Sequence, residues 1–329
     1  MTAQIATRDG TDIDPDLRRF MALTAAAYAD HPPLDSLTLP QARAVFEQVR
    51  EPWRTGGPVM AATTDLTVQT RHGGVRVRVL DPSPDTPKPA LVYLHGGGWT
   101  IFSIDTHDRV MREYAARAGV VVVAVDYALS PEVKFPVALE QVLDVVGWLG
   151  EAGADLGVDT SRIAIGGDSA GGNLSITTCL ALRDLGRGGE IAAMLLNYAV
   201  LAREPGAEFS LRYGGPDYML TTAEMDQFWV NYLASPDDAS NPLANPSMGE
   251  LSGLPPAFLA IAGCDLLAGQ SLAMVERLKS AGVAVRSKLY AGACHSFLEA
   301  VSIAPIAGEA LDDGAAFLRE RLAERRIAS

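Results

Sequence analysis

The segment Gly167-Asp168-Ser169-Ala170-Gly171 places a serine between glycines at the spacing of a strand that turns sharply into a helix. So tight a turn strains the backbone of its central residue and tolerates only very small neighbours. Gly166, Gly167, Ala170, Gly171 and Gly172 meet that demand. The Ser169 hydroxyl is then expected at a helix N-terminus, where the partial positive charge favours an anion, as a nucleophile requires. A second glycine run, His95-Gly96-Gly97-Gly98-Trp99, leaves backbone N–H groups uncovered. Donors of this kind, aimed at the carbonyl oxygen where negative charge develops, are each worth about 2.7–4 kcal/mol of an acyl-transfer barrier. The N–H groups of Gly97, Gly98 and Ala170 are the expected oxyanion hole. A phosphate-cradling loop is the competing reading, but the run has neither GxGxxG spacing nor a GK[ST] ending. His95 itself is expected to fix its loop by a hydrogen bond.

A serine on such an elbow needs a base, and the base needs an acid to orient it, following in the chain order Ser, Asp or Glu, His. After Ser169 the chain has one histidine, His295, because His31, His72, His95 and His107 all precede the serine. His295 lies in Tyr290-Ala-Gly-Ala-Cys-His-Ser-Phe297, read as a loop after the strand Val283–Leu289. Asp265 follows the strand Ala257–Ile261, at a position from which it can reach the imidazole. It can also cap the next helix, and the two roles are compatible. Asp168 is expected to point away from Ser169 and to act structurally. Asp105, His107 and Asp108 are expected to support the loop and the start of the following helix.

The elements that must hold these groups alternate. Apolar strands at Ala90–Leu94, Val120–Val125, Arg162–Ile165, Ala192–Asn197, Ala257–Ile261 and Val283–Leu289 are separated by helical patterns near 106–118, 136–151, 170–185, 267–281 and 308–325. This implies an α/β fold with a mostly parallel sheet covered on both faces. Leu66–Gln69 and Val75–Leu80 read as a hairpin ahead of it, giving eight strands in all. Residues 1–52 read as two helices, Pro15–Ala29 and one opening at Pro40 and ending at Pro52. Residues 200–250 break the rhythm with scattered aromatics and a tail rich in Pro and Asn. The expected organisation is an N-terminal helical part of a cap over 1–52, and a catalytic domain over 53–329 with a cap insertion at about 200–250.

Composition narrows the class. The net charge of −13 over 329 residues argues against a nucleic-acid partner, which clustered Lys and Arg would serve. No apolar run nears the roughly 20 residues of a membrane span, so no membrane partner is expected. No basic start followed by an apolar stretch opens the sequence, and the cytoplasm is the expected compartment. Three cysteines, Cys179, Cys264 and Cys294, have neither disulfide parity nor zinc-site spacing. Cys264 and Cys294, each preceding a proposed site residue, are read as small buried hydrophobes.

Together these boxes resemble the bacterial hormone-sensitive-lipase-like esterases over most of the chain beyond residue 65. His95-Gly-Gly-Gly-Trp99 is similar to that family's HGGG box and Gly167-Asp-Ser-Ala-Gly-Gly-Asn173 to its GDSAGGN elbow. Tyr127-Ala-Leu-Ser-Pro-Glu132, with Phe135-Pro136 after it, looks like its YRLAPE…FP segment, and Leu251-Ser-Gly-Leu-Pro-Pro256 like the stretch before its acid strand. The resemblance implies an α/β-hydrolase fold with a helical cap. It also implies a carboxylic ester hydrolase without cofactor or metal that acts on small esters of short or medium acyl chains. Dimers are common in such enzymes; the residues leave a homodimer open. Two departures stand out. Asp265-Leu-Leu-Ala-Gly-Gln-Ser271 replaces Asp-Pro-Leu-Arg-Asp-Glu-Gly, and His295-Ser-Phe297 replaces His-Gly-Phe. The alternatives are a ligand-binding module on the same fold, an amidase or acyltransferase using the same triad, and a lipase. Retention of all three triad members speaks against the first.

Overall fold

A computed structural model of the chain describes residues 12–85 and 87–323. Eight strands form one sheet: β1 (Ala62–Thr70), β2 (Gly73–Asp81), β3 (Lys88–Leu94), β4 (Val121–Asp126), β5 (Val158–Asp168), β6 (Ala193–Asn197), β7 (Ala257–Cys264) and β8 (Val285–Cys294). Their spatial order is β1-β2-β4-β3-β5-β6-β7-β8. β1 and β2 pair antiparallel, β2 joins β4 antiparallel, and every later pairing is parallel. The central strands are buried on both faces, as β4 and β6 show along almost their whole length, which is why they read as unbroken apolar runs rather than alternations.

Nine helices among the described residues surround the sheet: α1 (Pro15–Ala29), α2 (Leu39–Arg54), α3 (Asp108–Ala118), α4 (Val137–Ala152), α5 (Ala170–Asp184), α6 (Ala207–Tyr213), α7 (Thr222–Tyr232), α8 (Ala268–Ser280) and α9 (Pro305–Arg321). α1 starts where Pro15 follows Asp14, whose carboxylate accepts from the Asp16 N–H at 2.9 Å. Pro52 does not end α2, contrary to the expectation from its type: the helix runs on to Arg54. A proline this close to the end removes only one intrahelical donor, and the turn beyond it is held by Trp53, which is buried edge-on against Phe20 with ring centroids 4.7 Å apart. The connection between β6 and β7, carrying α6 and α7, is the segment that interrupts the strand–helix rhythm. No described helix is long and apolar enough to cross a membrane.

β5, β7 and β8 all deliver their carboxyl ends to the same edge of the sheet. β8 reaches further than its apolar pattern indicates and stops at Cys294, paired in register with Cys264 at the end of β7 across an irregularity between Ala262 and Cys264. The next residue of each strand, Asp265 and His295, is thereby brought side by side.

Candidate active site

Ser169 follows the last residue of β5 and occupies the N-cap of α5 with φ 52° and ψ −117°, a left-handed region that non-glycine residues enter at a cost. The elbow survives because its neighbours have no side chain to collide: a Cβ on Gly171 would run into the carbonyl of Leu94 on β3. The Ser169 amide is itself used, donating to the Asn197 carbonyl at 3.0 Å.

The three expected residues meet. His295 Nδ1 lies 2.7 Å from Asp265 Oδ2. A carboxylate only accepts, so the Nδ1 proton is donated to it, and Nε2 is left to accept from the Ser169 hydroxyl 3.0 Å away. Asp265 combines this with the turn role read for it: Oδ1 accepts from the Leu267 N–H at 2.9 Å, just ahead of α8, whose N-cap is Leu267. Burial alone would lower the His295 pKa, but the charge and hydrogen bond of Asp265 outweigh it, and the imidazole titrates above the usual histidine value. The Tyr198 ring packs edge-on against the imidazole, with centroids 5.1 Å apart.

Gly97 and Gly98 line the same cavity as Ser169. Gly97 has φ 108°, and a Cβ on it would strike the Ile101 carbonyl. That carbonyl belongs to the turn in which the Gly97 oxygen accepts from the Thr100 and Ile101 amides at 2.9 and 3.0 Å. No protein acceptor takes the N–H of Gly97, Gly98 or Ala170 among the described residues. His95 braces the loop: its Nδ1 is 2.7 Å from the Gly96 carbonyl, and its ring stacks on Tyr127 at 4.3 Å. The Tyr127 hydroxyl donates to the His95 carbonyl at 2.7 Å. Burial drives the His95 pKa down to about 3, so the ring is neutral.

Beneath the serine, Asp168 turns the other way. Its carboxylate accepts from the Tyr93 hydroxyl at 2.9 Å and from His107 Nε2 at 3.2 Å. Burial would raise the Asp168 pKa, but His107 and Tyr93 more than compensate and lower it. Asp168 in turn lifts His107 against its own burial.

The cavity over Ser169 and His295 has a volume of about 400 Å³. Besides the glycine loop and Phe102, its walls come from α1 and α2 (Tyr28, Phe46, Arg50) and from the β6–β7 connection (Met219, Leu220, Met225, Phe228).

The family described as alpha/beta hydrolase fold matches residues 91–299, well over half the chain. The chain belongs to this family. An ethyl acetate hydrolase of Pseudomonas putida is 35% identical over 312 residues, covering 91% of this chain and 96% of its own. A solved hyperthermophilic esterase of Pyrobaculum calidifontis is 34% identical with a TM-score of 0.87, covering 94% of this chain and 99% of that one. EstE1, a thermophilic carboxylesterase from a metagenomic library, is 32% identical with a TM-score of 0.84, covering 87% and 98%. Together these likenesses support a hormone-sensitive-lipase-like esterase.

The aromatics near the site of this α/β hydrolase divide between cavity wall and core. Phe102 lines the cavity, but Trp99 is buried behind it, stacked on Tyr232 at 4.1 Å. Phe209, Tyr213 and Trp229 do not line it. The lining residues of α2 and of the β6–β7 connection carry no motif; the only signal for α2 is its apolar face, on which Phe46, Val49, Arg50 and Trp53 sit at helical spacing. Both departures from the family boxes have a local account. Gln270, in the altered segment after Asp265, accepts from the amides of Leu201 and Ala202 and so ties α8 to the chain leaving β6. Ser296, where the boxes have glycine, takes φ 60°. Cys264 and Cys294 are free and buried, with both thiols pushed up by burial, Cys264 to about 12.

Proposed function

We propose that the protein is a serine carboxylesterase that hydrolyses small esters of short- to medium-chain acids through an acyl-enzyme. The observation that carries the reading is the continuous line Asp265–His295–Ser169, closed by hydrogen bonds of 2.7 and 3.0 Å at the floor of a largely apolar cavity. Ser169 attacks the ester carbonyl while His295 Nε2 takes its proton. The Gly97, Gly98 and Ala170 amides receive the developing oxyanion. The tetrahedral adduct collapses, the alcohol departs with the proton from Nε2, and water, deprotonated by the same imidazole, releases the acid and restores the serine. A cavity of this size and the ethyl acetate hydrolase among the relatives support small substrates. We assign α1, α2 and the β6–β7 connection to a cap, because they supply the cavity walls opposite the sheet.

The test is Ser169→Ala. Turnover of p-nitrophenyl acetate is expected to fall to background, with far-UV circular dichroism and the denaturation midpoint preserved. A variant that keeps wild-type turnover removes Ser169 as nucleophile.

A further inference from the structure

The chain bends sharply just after the base. Ser296 takes φ 60° and ψ 16° and is the N-cap of a short 3-10 helix, Phe297–Ser302. A serine holds this left-handed backbone under strain that a glycine does not feel. Left to itself, Ser296 relaxes to negative φ, and the imidazole one residue earlier swings with it. Glu299 opposes that relaxation from two sides. Its amide donates to the Ser296 carbonyl at 3.1 Å, closing the turn. Its carboxylate, on a side chain 2% exposed, places Oε2 2.7 Å from Nε of Arg50 on α2. The contact is a close ion pair and not an aligned hydrogen bond: neither Glu299 oxygen and neither Nε nor Nη1 of Arg50 has a hydrogen-bond partner among the described residues. Attraction between charges needs no such alignment, and it is strong where water is excluded. Arg50, 5% exposed, is fixed in its turn. Its Cζ lies 4.9 Å from the ring centroid of Phe102, beside the glycine loop, and 6.0 Å from that of Phe20 on α1.

Resting on the esterase reading, we infer that Glu299 is a positioning residue for His295: paired with Arg50, it clamps the strained turn at Ser296 and so keeps the imidazole within reach of Ser169. Asp265 fixes the Nδ1 side of the ring from the sheet, whereas the backbone that carries the ring is held from α2. Stability alone is a weak reason for such a pair. Two apolar side chains of the same volume stabilise a fold as well or better, because they leave no charge to desolvate. What the ion pair adds is a tether between two particular segments, the helix that walls the cavity and the turn that follows the base.

The experiment measures kcat and KM for p-nitrophenyl acetate in a cycle of four proteins: wild type, Glu299→Gln, Ser296→Gly and the two changes together. Glu299→Gln keeps the shape of the side chain and removes the charge that Arg50 attracts. Its kcat is expected to fall on the order of ten- to a hundred-fold, as small misplacements of reacting groups do, with a much smaller change in KM because the cavity walls are untouched. Glycine at 296 has no strain to release. In that background the Glu299→Gln change is expected to cost at least about five-fold less in kcat, the factor that the strain of one left-handed residue represents. An equal loss in the two backgrounds overturns the clamp, because a residue that only stabilises the fold is blind to the backbone preference at 296. An unchanged kcat in Glu299→Gln overturns it as well. Should Glu299→Gln alone fail to fold, Arg50→Met with Glu299→Gln leaves no buried charge unpaired, and it takes the place of the single variant in the same cycle. Wild-type enzyme that does not turn over the ester overturns the esterase reading itself. Wild-type turnover without coupling to residue 296 overturns the clamp alone.

Discussion

At the scale of single residues, the site depends on a competition between burial and charge at His295. Burial favours the neutral ring, and the Asp265 carboxylate favours the imidazolium; the carboxylate prevails. A general base acts in its neutral form, so kcat/KM is expected to rise with pH along a limb centred above the ordinary histidine value of about 6.5. Asp265→Asn removes the charge that lifts the imidazole, so that limb should move to lower pH. The remaining rate should fall by about 10⁴-fold if the tautomer is lost as it is in serine proteases. A pH–rate profile of both proteins measures the two effects together, and a limb that stays in place would exclude Asp265 as the group that sets the base. Strain accompanies the chemistry at this scale. Among the described residues, the non-glycine residues of positive φ are Trp99, Phe102, Ser169, Tyr198 and Ser296, and all of them line the cavity, flank the glycine loop or touch His295. Backbone strain of this kind persists only where the surroundings over-determine it.

At the scale of elements, β3, β5 and the segment entering α3 converge on Asp168. Its carboxylate ties Tyr93 of β3 and His107 at the N-cap of α3 to the residue just before Ser169. His107→Ala leaves the buried Asp168 carboxylate without its imidazole partner, and breaking a buried pair of this kind typically costs about 3–5 kcal/mol. Urea denaturation should show that loss, and kcat should fall with it, because the elbow and the glycine loop share this support. The pH dependence has a definite sign. The raised His107 pKa gives stability that is lost as pH rises through it, and the lowered Asp168 pKa gives stability that is lost as pH falls through it. The gap between wild type and variant should therefore be widest between those two points; a gap that does not vary with pH would remove the ion pair as its source. The elements themselves were largely readable in the sequence, because doubly buried strands such as β4 and tight turns such as the Ser169 elbow leave few residue choices. What was not readable depends on tertiary contact. Pro52 stays helical because Trp53 is packed against Phe20, β8 extends to Cys294 because β7 offers a partner there, and Arg50 is a cavity residue only because α2 supplies part of the cavity wall.

At the scale of the whole molecule, the sheet carries the reacting groups and the segments outside it set the space above them. The two parts meet where Phe228 of α7 covers Gly98 of the glycine loop: the ring lies where a Cβ on that glycine would fall. α7 therefore bounds the cavity directly beside the glycine loop, and acyl length is expected to be read by α7 rather than by the sheet. Replacing the ring by a methyl group opens that wall without touching Ser169, His295 or Asp265. Each additional methylene that finds room is worth about 0.8 kcal/mol, roughly four-fold in kcat/KM. Phe228→Ala is accordingly expected to shift the optimum in a p-nitrophenyl ester series toward longer acyl chains, gaining about that factor for each carbon newly buried. Acetate, too short to reach the vacated space, should gain nothing. A uniform loss across the series would mean that Phe228 serves only to hold the loop in shape. An unchanged optimum would place the acyl chain on the opposite wall, against Tyr28 and Phe46 of the N-terminal helices.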